Sequence, residues 1–320
     1  MSFRMINGGP SSPTPPAVQQ PQPLPPCPGD FAAITCFFNP CHYRKPVENF
    51  LRFAGDVVAS GVELHVIELS FDGAWEVPSF LNPLRMQTDQ VLWHKETLLN
   101  ILADSLPERI TKVAWVDSDV LWDRPDWPKL ADEALQKANV IQLFKECVWT
   151  NQDGTTQPPR PSVTYSMDRL LVGRWNFGIS HPGFAWAARR ELWRHGGLFD
   201  LHVTGGGDSL MASAFCGHPS GALGALYGGV IEKAWQVWAE PVHEWCQART
   251  GWIDATVTHM FHGTRDDRRY MERLRYIKKL DLATEVRRGF NGLLQWTRPR
   301  EESEVRRLVE GYFAERKEDG

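Results

Sequence analysis

Lys112-Val-Ala-Trp-Val-Asp-Ser-Asp-Val-Leu-Trp122 runs an apolar segment straight into an acidic pair, Asp117 and Asp119. Val113 to Val116 reads as a short buried strand, and the two carboxylates sit in the turn that ends it. Hard divalent cations take oxygen ligands, so a strand that delivers two carboxylates into a turn can hold such an ion against a diphosphate. A plainer reading stands beside it, because Asp and Ser are also ordinary turn residues.

Outward from this stretch, strand and helix patterns alternate. Phe31 to Phe38 predicts a buried strand ended by Asn39-Pro40, and Val62 to Leu69 predicts a second. Between them, Pro46 to Ala59 has helical spacing and Gly61 stops it. Helices are expected over 91–106 and 126–138, with a strand at 140–144. This alternation predicts an α/β fold with a mostly parallel sheet. Ligands of such sheets bind outside the carboxyl ends of the strands. The acidic pair, Asn39 and the segment from Glu68 to Asp72 all fall there. Residues 150–180 read as a polar loop, in the position of a lid. Beyond it the pattern is less regular: Gly183 to Ala188, a helix from Arg189 to His195, and a Gly-rich turn, Thr204-Gly-Gly-Gly-Asp208, leading into a helical run. A strand or turn is expected within 253–262, and amphipathic helices at 268–279 and 301–316. The first 29 residues are rich in Pro, Ser and Gln, a composition that builds no core.

Composition narrows the classes. The chain has 42% hydrophobic and 23% charged residues and a net charge of −4. That balance is globular and gives no general attraction to nucleic acid or anionic membrane. Fourteen Trp supply flat faces for sugars or bases, or simply core. The six cysteines include no Cys-x-x-Cys, which argues against a zinc knuckle. Cys36, Cys147 and Cys216 lie in apolar runs, so reduced thiols and a cytoplasmic setting are expected. No apolar run has the length of a membrane span, and no secretory h-region is evident.

Several of these segments, in order, resemble GT-A glycosyltransferases. The acidic pair is similar to their Asp-x-Asp motif. Pro182-Gly-Phe-Ala-Trp-Ala-Ala-Arg-Arg-Glu191, followed by Gly196-Gly-Leu-Phe-Asp200, resembles a family stretch of an aromatic residue followed by Gly-Gly, an apolar pair and Asp. Thr204 to Asp208 resembles the Gly-Gly-Glu-Asp segment of the β-1,4-galactosyltransferase group. His259-Met-Phe-His262-Gly-Thr-Arg265 is similar to that group's late metal-binding segment. Gly207 departs from the pattern, standing where that group has Glu. The resemblance covers about residues 31–280. It implies a family-2-like enzyme with a nucleotide-sugar-binding half over 30–149 and an acceptor and metal-binding half over 150–280. Residues 281–320 would form a helical extension.

The implied reaction moves a sugar from a nucleotide sugar, with UDP the expected nucleotide, to a hydroxyl acceptor. Mn²⁺ or Mg²⁺ would serve the leaving diphosphate, and imidazole beside carboxylate favours Mn²⁺. Asp119 is the first expected ligand, with Asp117 either a second ligand or a ribose contact. His262 is the distant third, and the resemblance adds His259. In a regular strand those two histidines face opposite ways, so both reach one ion only if the segment turns, as Gly263 permits. Asp208 is the candidate base for an inverting displacement, kept ionised by the start of the next helix. As an alternative, it is only a helix cap.

Asn39, Glu68, Asp72, Lys95 and Asn100 are the candidate nucleotide contacts. Trp186 and Trp175 are candidate platforms for sugar or acceptor, and Arg265 and Arg268 are candidates for diphosphate oxygens. The rival classes are a nucleotidyltransferase, an inactive carbohydrate- or nucleic-acid-binding module, and a phage-type transferase acting on modified DNA bases. A nucleotidyltransferase would place a Gly-rich basic loop after the first strand. Phe38 to Lys45 contains no glycine.

Overall fold

The apolar run from Phe31 to Phe38 forms the central strand, β1, in the computed structural model, which describes residues 27–169, 179–217, 229–264 and 266–320. Its side chains alternate. Phe31, Ala33 and Phe37 enter one buried cluster, and Ala32 and Ile34 enter another on the opposite face. Both faces are covered, so the strand reads as a continuous apolar run rather than as alternation.

In chain order the strands are β1, β2 (Glu63–Ser70), β3 (Leu84–Gln87), β4 (Lys112–Val116), β5 (Val120–Trp122), β6 (Val140–Gln142), β7 (Glu146–Trp149), β8 (Arg160–Pro161), β9 (Ala185–Arg189), β10 (Thr250–Trp252) and β11 (Thr256–His259), then a hairpin, β12 (Val286–Arg288) and β13 (Leu294–Trp296). The large sheet has the order β10-β6-β9-β4-β1-β2-β3. All its pairings are parallel except those of β9, which runs antiparallel to both β4 and β6. A smaller sheet has the order β5-β11-β7-β8.

Helices α1 (Arg44–Ala59), α2 (Lys95–Ser105) and α3 (Trp127–Leu135) lie close to their sequence expectations. They divide between the two faces: Phe50, Phe53 and Trp127 join the cluster of Phe31, while Leu98, Leu99 and Leu102 join that of Ile34. The second cluster also takes Leu210 from α5 (Asp208–Phe215, after the short α4, Val163–Arg169), and Ile231 and Trp235 from α6 (Gly229–Cys246). It is completed by Ile277 from α7 (Tyr270–Lys279), and by Val305, Val309 and Phe313 from α9 (Glu304–Glu315, after the single turn α8, Leu282–Glu285). The C-terminal helix thus shares a core with β1 and β4.

Four stretches differ from their sequence reading. Gly183 to Ala188, expected to be irregular, contributes β9, because Ala185 and Ala187 face one cluster and Trp186 and Ala188 the other. The expected helix after it is a 3-10 turn, Arg190–His195, stopped by Gly196. The expected loop at 150–180 pairs Arg160–Pro161 with β7 and then forms α4. Its residues 170–178, with Trp175, lie outside the described residues. Helix α6 went unassigned, although Ile231, Trp235, Ala239, Val242 and Cys246 are its buried face. Among the described residues no helix is long and apolar enough to cross a membrane.

Buried histidines make stability depend on pH, two of them, His94 and His202, away from the acidic turn. Burial pushes His94 down to about 4 and His202 down to about 3 from an ordinary 6.5. The unfolded chain therefore binds more protons than the folded one once pH drops below 6.5. Stability is then lost as pH falls from 6.5 toward those folded values. Each group contributes about 1.5 kcal/mol of loss between pH 6.5 and 5. Urea denaturation across that window is expected to show a smaller loss in His94→Gln than in the parent, by about 1.5 kcal/mol; an unchanged slope in His94→Gln would remove this histidine from the account.

Candidate active site

A cavity of about 620 Å³ opens at the carboxyl edge of the large sheet. The end of β1, the Asp117–Asp119 turn, the 181–184 segment, the Gly-rich turn at 205–208, both late histidines and the C-terminal residues from Tyr312 to Glu318 line it. The turn holding the acidic pair is where the chain leaves the large sheet at β4 and enters the small one at β5. Strand β11 then pairs antiparallel with β5, setting His259 opposite Val120. The Met260 amide donates to the Asp119 carbonyl at 2.8 Å. The late segment is thereby fixed against the acidic turn through backbone pairing.

Asp119 Oδ2 lies 2.6 Å from His262 Nε2 and 3.4 Å from His259 Nε2. One donor atom from each residue falls within 4.8 Å of the others. The chain leaves β11 after His259, so His262 sits on a turn and both rings reach one carboxylate. Their centroids are 5.0 Å apart. Protonation states suit a cation. Burial favours the neutral form of His259 and pushes it down to about 4, although Asp119 pulls it up. Burial opposes the charge on Asp119, but His259 and His262 hold it well below the usual carboxylate range. Among the described residues, Asp119 Oδ1 is buried without a hydrogen-bond partner. An ionised carboxylate with an orphan oxygen beside a neutral imidazole is a donor set for Mn²⁺ or Zn²⁺ more than for Mg²⁺.

Asp117 is drawn elsewhere. Lys95 Nζ lies 2.6 Å from Asp117 Oδ1 and 3.3 Å from Asp208 Oδ1. Burial lowers the affinity of Lys95 for its proton, but Asp117 and Asp208 together raise it well above the ordinary value. Burial, with Asp208 and Asp119 adding to it, pushes Asp117 up to about 6 against the pull of Lys95. Asp208 is the first residue of α5, where the positive end of the helix dipole stabilises a carboxylate. A Cβ on Gly183 would lie 3.0 Å from Asp208 Oδ2, so this glycine leaves the carboxylate its space. Phe184 has φ of 76°, a left-handed backbone that is uncommon for a bulky residue, and its carbonyl accepts the Asp117 amide at 2.8 Å. Such strain gathers at functional sites.

The remaining expected contacts divide. Asp117, Asp119, Lys95, Asp208, His259 and His262 share the cavity. Asn39, Glu68 and Asp72 do not line it; they border a separate, shallow notch. There Asn39 donates to the Tyr43 carbonyl, and Glu68 accepts from the Val77 amide and Arg85. Asp72 accepts from the Ala74 amide and pairs with His42. Asn100 donates to the Leu198 carbonyl and accepts from Trp193, a structural use. Trp186 is 3% exposed and stacked on Trp115, so its ring belongs to the core and offers no platform. Arg265 lies outside the described residues. Arg268 does line the cavity, with Nη2 2.7 Å from His262 Nε2. Sequence reasoning missed Tyr312, Arg316 and Glu318. The amphipathic pattern at 301–316 signalled a helix, but nothing in it signalled a cavity wall.

No protein-family model matches the chain, and no curated protein sequence matches it. Solved structures similar to it include a mutant Drosophila β1,4-galactosyltransferase 7 in complex with manganese, UDP-Gal and xylobiose, at 13% identity over 57% of this chain and 59% of that one, TM-score 0.33. Others are the glycosyltransferase GlyE of Streptococcus pneumoniae, at 8% identity over 88% and 59%, TM-score 0.31, and a 4-diphosphocytidyl-2C-methyl-D-erythritol synthase of Anaerococcus prevotii, at 11% identity over 52% and 74%, TM-score 0.29. This chain thus spans under two thirds of the length of the first two. Likenesses this distant do not bear on activity. The mostly parallel sheet flanked by helices is the α/β layout that the alternation of strands and helices predicts.

Lys95 is the cation that two partly buried carboxylates share. Lys95→Met leaves both without it and is expected to cost about 3 kcal/mol of stability, read from urea denaturation at pH 7.5. A loss below about 0.5 kcal/mol would mean that solvent already screens the pair.

Proposed function

We propose that this protein is a metal-dependent glycosyltransferase that takes its sugar from a nucleotide sugar, with UDP as the expected nucleotide. The observation that carries this reading is the contact of Asp119 Oδ2 with His262 Nε2 at 2.6 Å, between residues far apart in the chain, on the wall of the cavity at the sheet's carboxyl edge. Asp119, His259 and His262 are the residues that would hold the ion, and Asp117 is left to Lys95. When bound, a divalent cation supplies a Lewis acid for the leaving diphosphate.

The chain's own groups supply the rest. Arg268 and Arg316 line the same wall and carry fixed positive charge for phosphate oxygens. Asp208, which shares Lys95 with Asp117, takes the proton of the acceptor hydroxyl as it attacks the anomeric carbon. That direct displacement inverts the sugar's configuration. Lys95 holds the Asp208 carboxylate at a fixed position, which converts binding into orientation. Gly207, where the resembling group has Glu, leaves the sugar preference to other contacts.

Calorimetric titration of UDP tests the reading. Mn²⁺ is expected to tighten UDP binding at least tenfold, and Asp119→Ala to abolish that gain. Asp208→Asn is expected to bind UDP as the parent does and to lower transfer by about 10²–10⁴-fold. UDP binding indifferent to Mn²⁺ would remove the metal from the reading, and wild-type transfer by Asp208→Asn would remove the base.

A further inference from the structure

We propose that the C-terminal turn completes the metal centre, with Glu318 as the positioning residue that fixes the tautomer and orientation of His262; this rests on the reading of Asp119, His259 and His262 as ligands. Glu318 Oε1 lies 2.9 Å from His262 Nδ1, on the side of the ring away from Asp119. A carboxylate only accepts, so Nδ1 carries the hydrogen and Nε2 keeps its lone pair. Arg268 Nη2 lies 2.7 Å from Nε2 and 3.2 Å from Nδ1, so it touches both nitrogens and the tautomer is left to Glu318. Nε2, 2.6 Å from Asp119 Oδ2, is then the nitrogen that would share an ion with that oxygen. A carboxylate behind a ligating imidazole is the arrangement that orients metal-bound histidines.

The turn is built to reach this position. Glu318 is itself held by Arg316, whose guanidinium lies 5.2 Å from the Trp93 ring centroid. The Lys45 amide, at the start of α1, donates to Asp319 Oδ1 at 2.7 Å, and Tyr43 Oη donates to the Ala314 carbonyl at 2.7 Å. On the other side the turn rests on Gly263, the residue after His262. Its φ is +86°, and a Cβ there would lie 2.9 Å from the Arg316 carbonyl and 3.1 Å from that of Lys317. The histidine loop and the turn therefore fit because residue 263 lacks a side chain. Glu318 does not touch the reacting groups, so its contribution passes through His262.

The test uses the full chain with selectively ¹⁵N-labelled histidine and Mn²⁺ or Zn²⁺ alone as the metal probe. In the metal-free parent at pH 8, His262 is expected to carry its hydrogen on Nδ1. Glu318→Ala is expected to shift it toward Nε2, and Glu318→Gln, whose amide oxygen still accepts, to keep the parent signal. Metal titration by calorimetry is expected to show a Kd raised about 10–100-fold in Glu318→Ala and within about threefold of the parent in Glu318→Gln. Gly263→Ala, which displaces the turn, is expected to weaken binding in the same direction. The proposal is overturned if His262 of the parent carries its hydrogen on Nε2, or if Glu318→Ala leaves both tautomer and Kd unchanged. A tautomer that switches in a protein that binds neither metal would uphold the positioning role and sink the metal reading instead.

Discussion

The pairing of β11 with β5 is the constraint on which the candidate site depends. Strand β5 begins one residue after Asp119, and β11 ends at His259. An antiparallel ladder between them leaves no freedom in where the late histidines fall relative to the acidic turn. Backbone hydrogen bonds set the approach, and the side chains only finish it. A slip of one residue would turn His259 to the other face of the small sheet and dissolve the cluster. Trp122 and Val257, opposite one another in this ladder, are both buried in the cluster that covers α1 and α3. Core packing therefore holds the register, and the register holds the histidines.

Much of the first half was legible because its signals are local. Strand and helix periods, Gly61 as a stop, and an acidic turn after four apolar residues each act within a dozen residues. The large sheet and its ligand-binding edge follow from them. What was not legible depends on contacts across the chain. Lys95 reads as a helix residue, and only the fold brings it between Asp117 and Asp208. Glu68, Asp72 and Asn39 lie at strand ends as expected, but a strand end is also where loops need anchors, and these polar groups hold backbone amides or carbonyls instead. Trp186 sits in β9, an inner strand whose two faces are covered by the two apolar clusters; a residue whose strand pairing is unknown cannot be assigned to wall or core. Residues 301–316 carry an amphipathic helical pattern, but nothing local places Arg316 or Glu318 near His262.

The site's charges set one carboxylate apart from the others. Asp117 and Asp208 share Lys95, so their negative charge is largely answered by the protein itself. Asp119 has no such partner at comparable distance from a lysine; it faces two imidazoles, one of which burial keeps neutral, and one of its oxygens is left without a hydrogen bond. Leaving a buried carboxylate so served is costly unless a cation arrives. The same division separates the two chemical tasks. The lysine-bound side has its charge neutralised in advance and can hold a base in place. The histidine side keeps an unmet demand for positive charge, which is the property a site needs if it is to bind a metal and the diphosphate that travels with it. Arg316 answers Glu318, so this carboxylate lies beside His262 without adding a second unanswered charge.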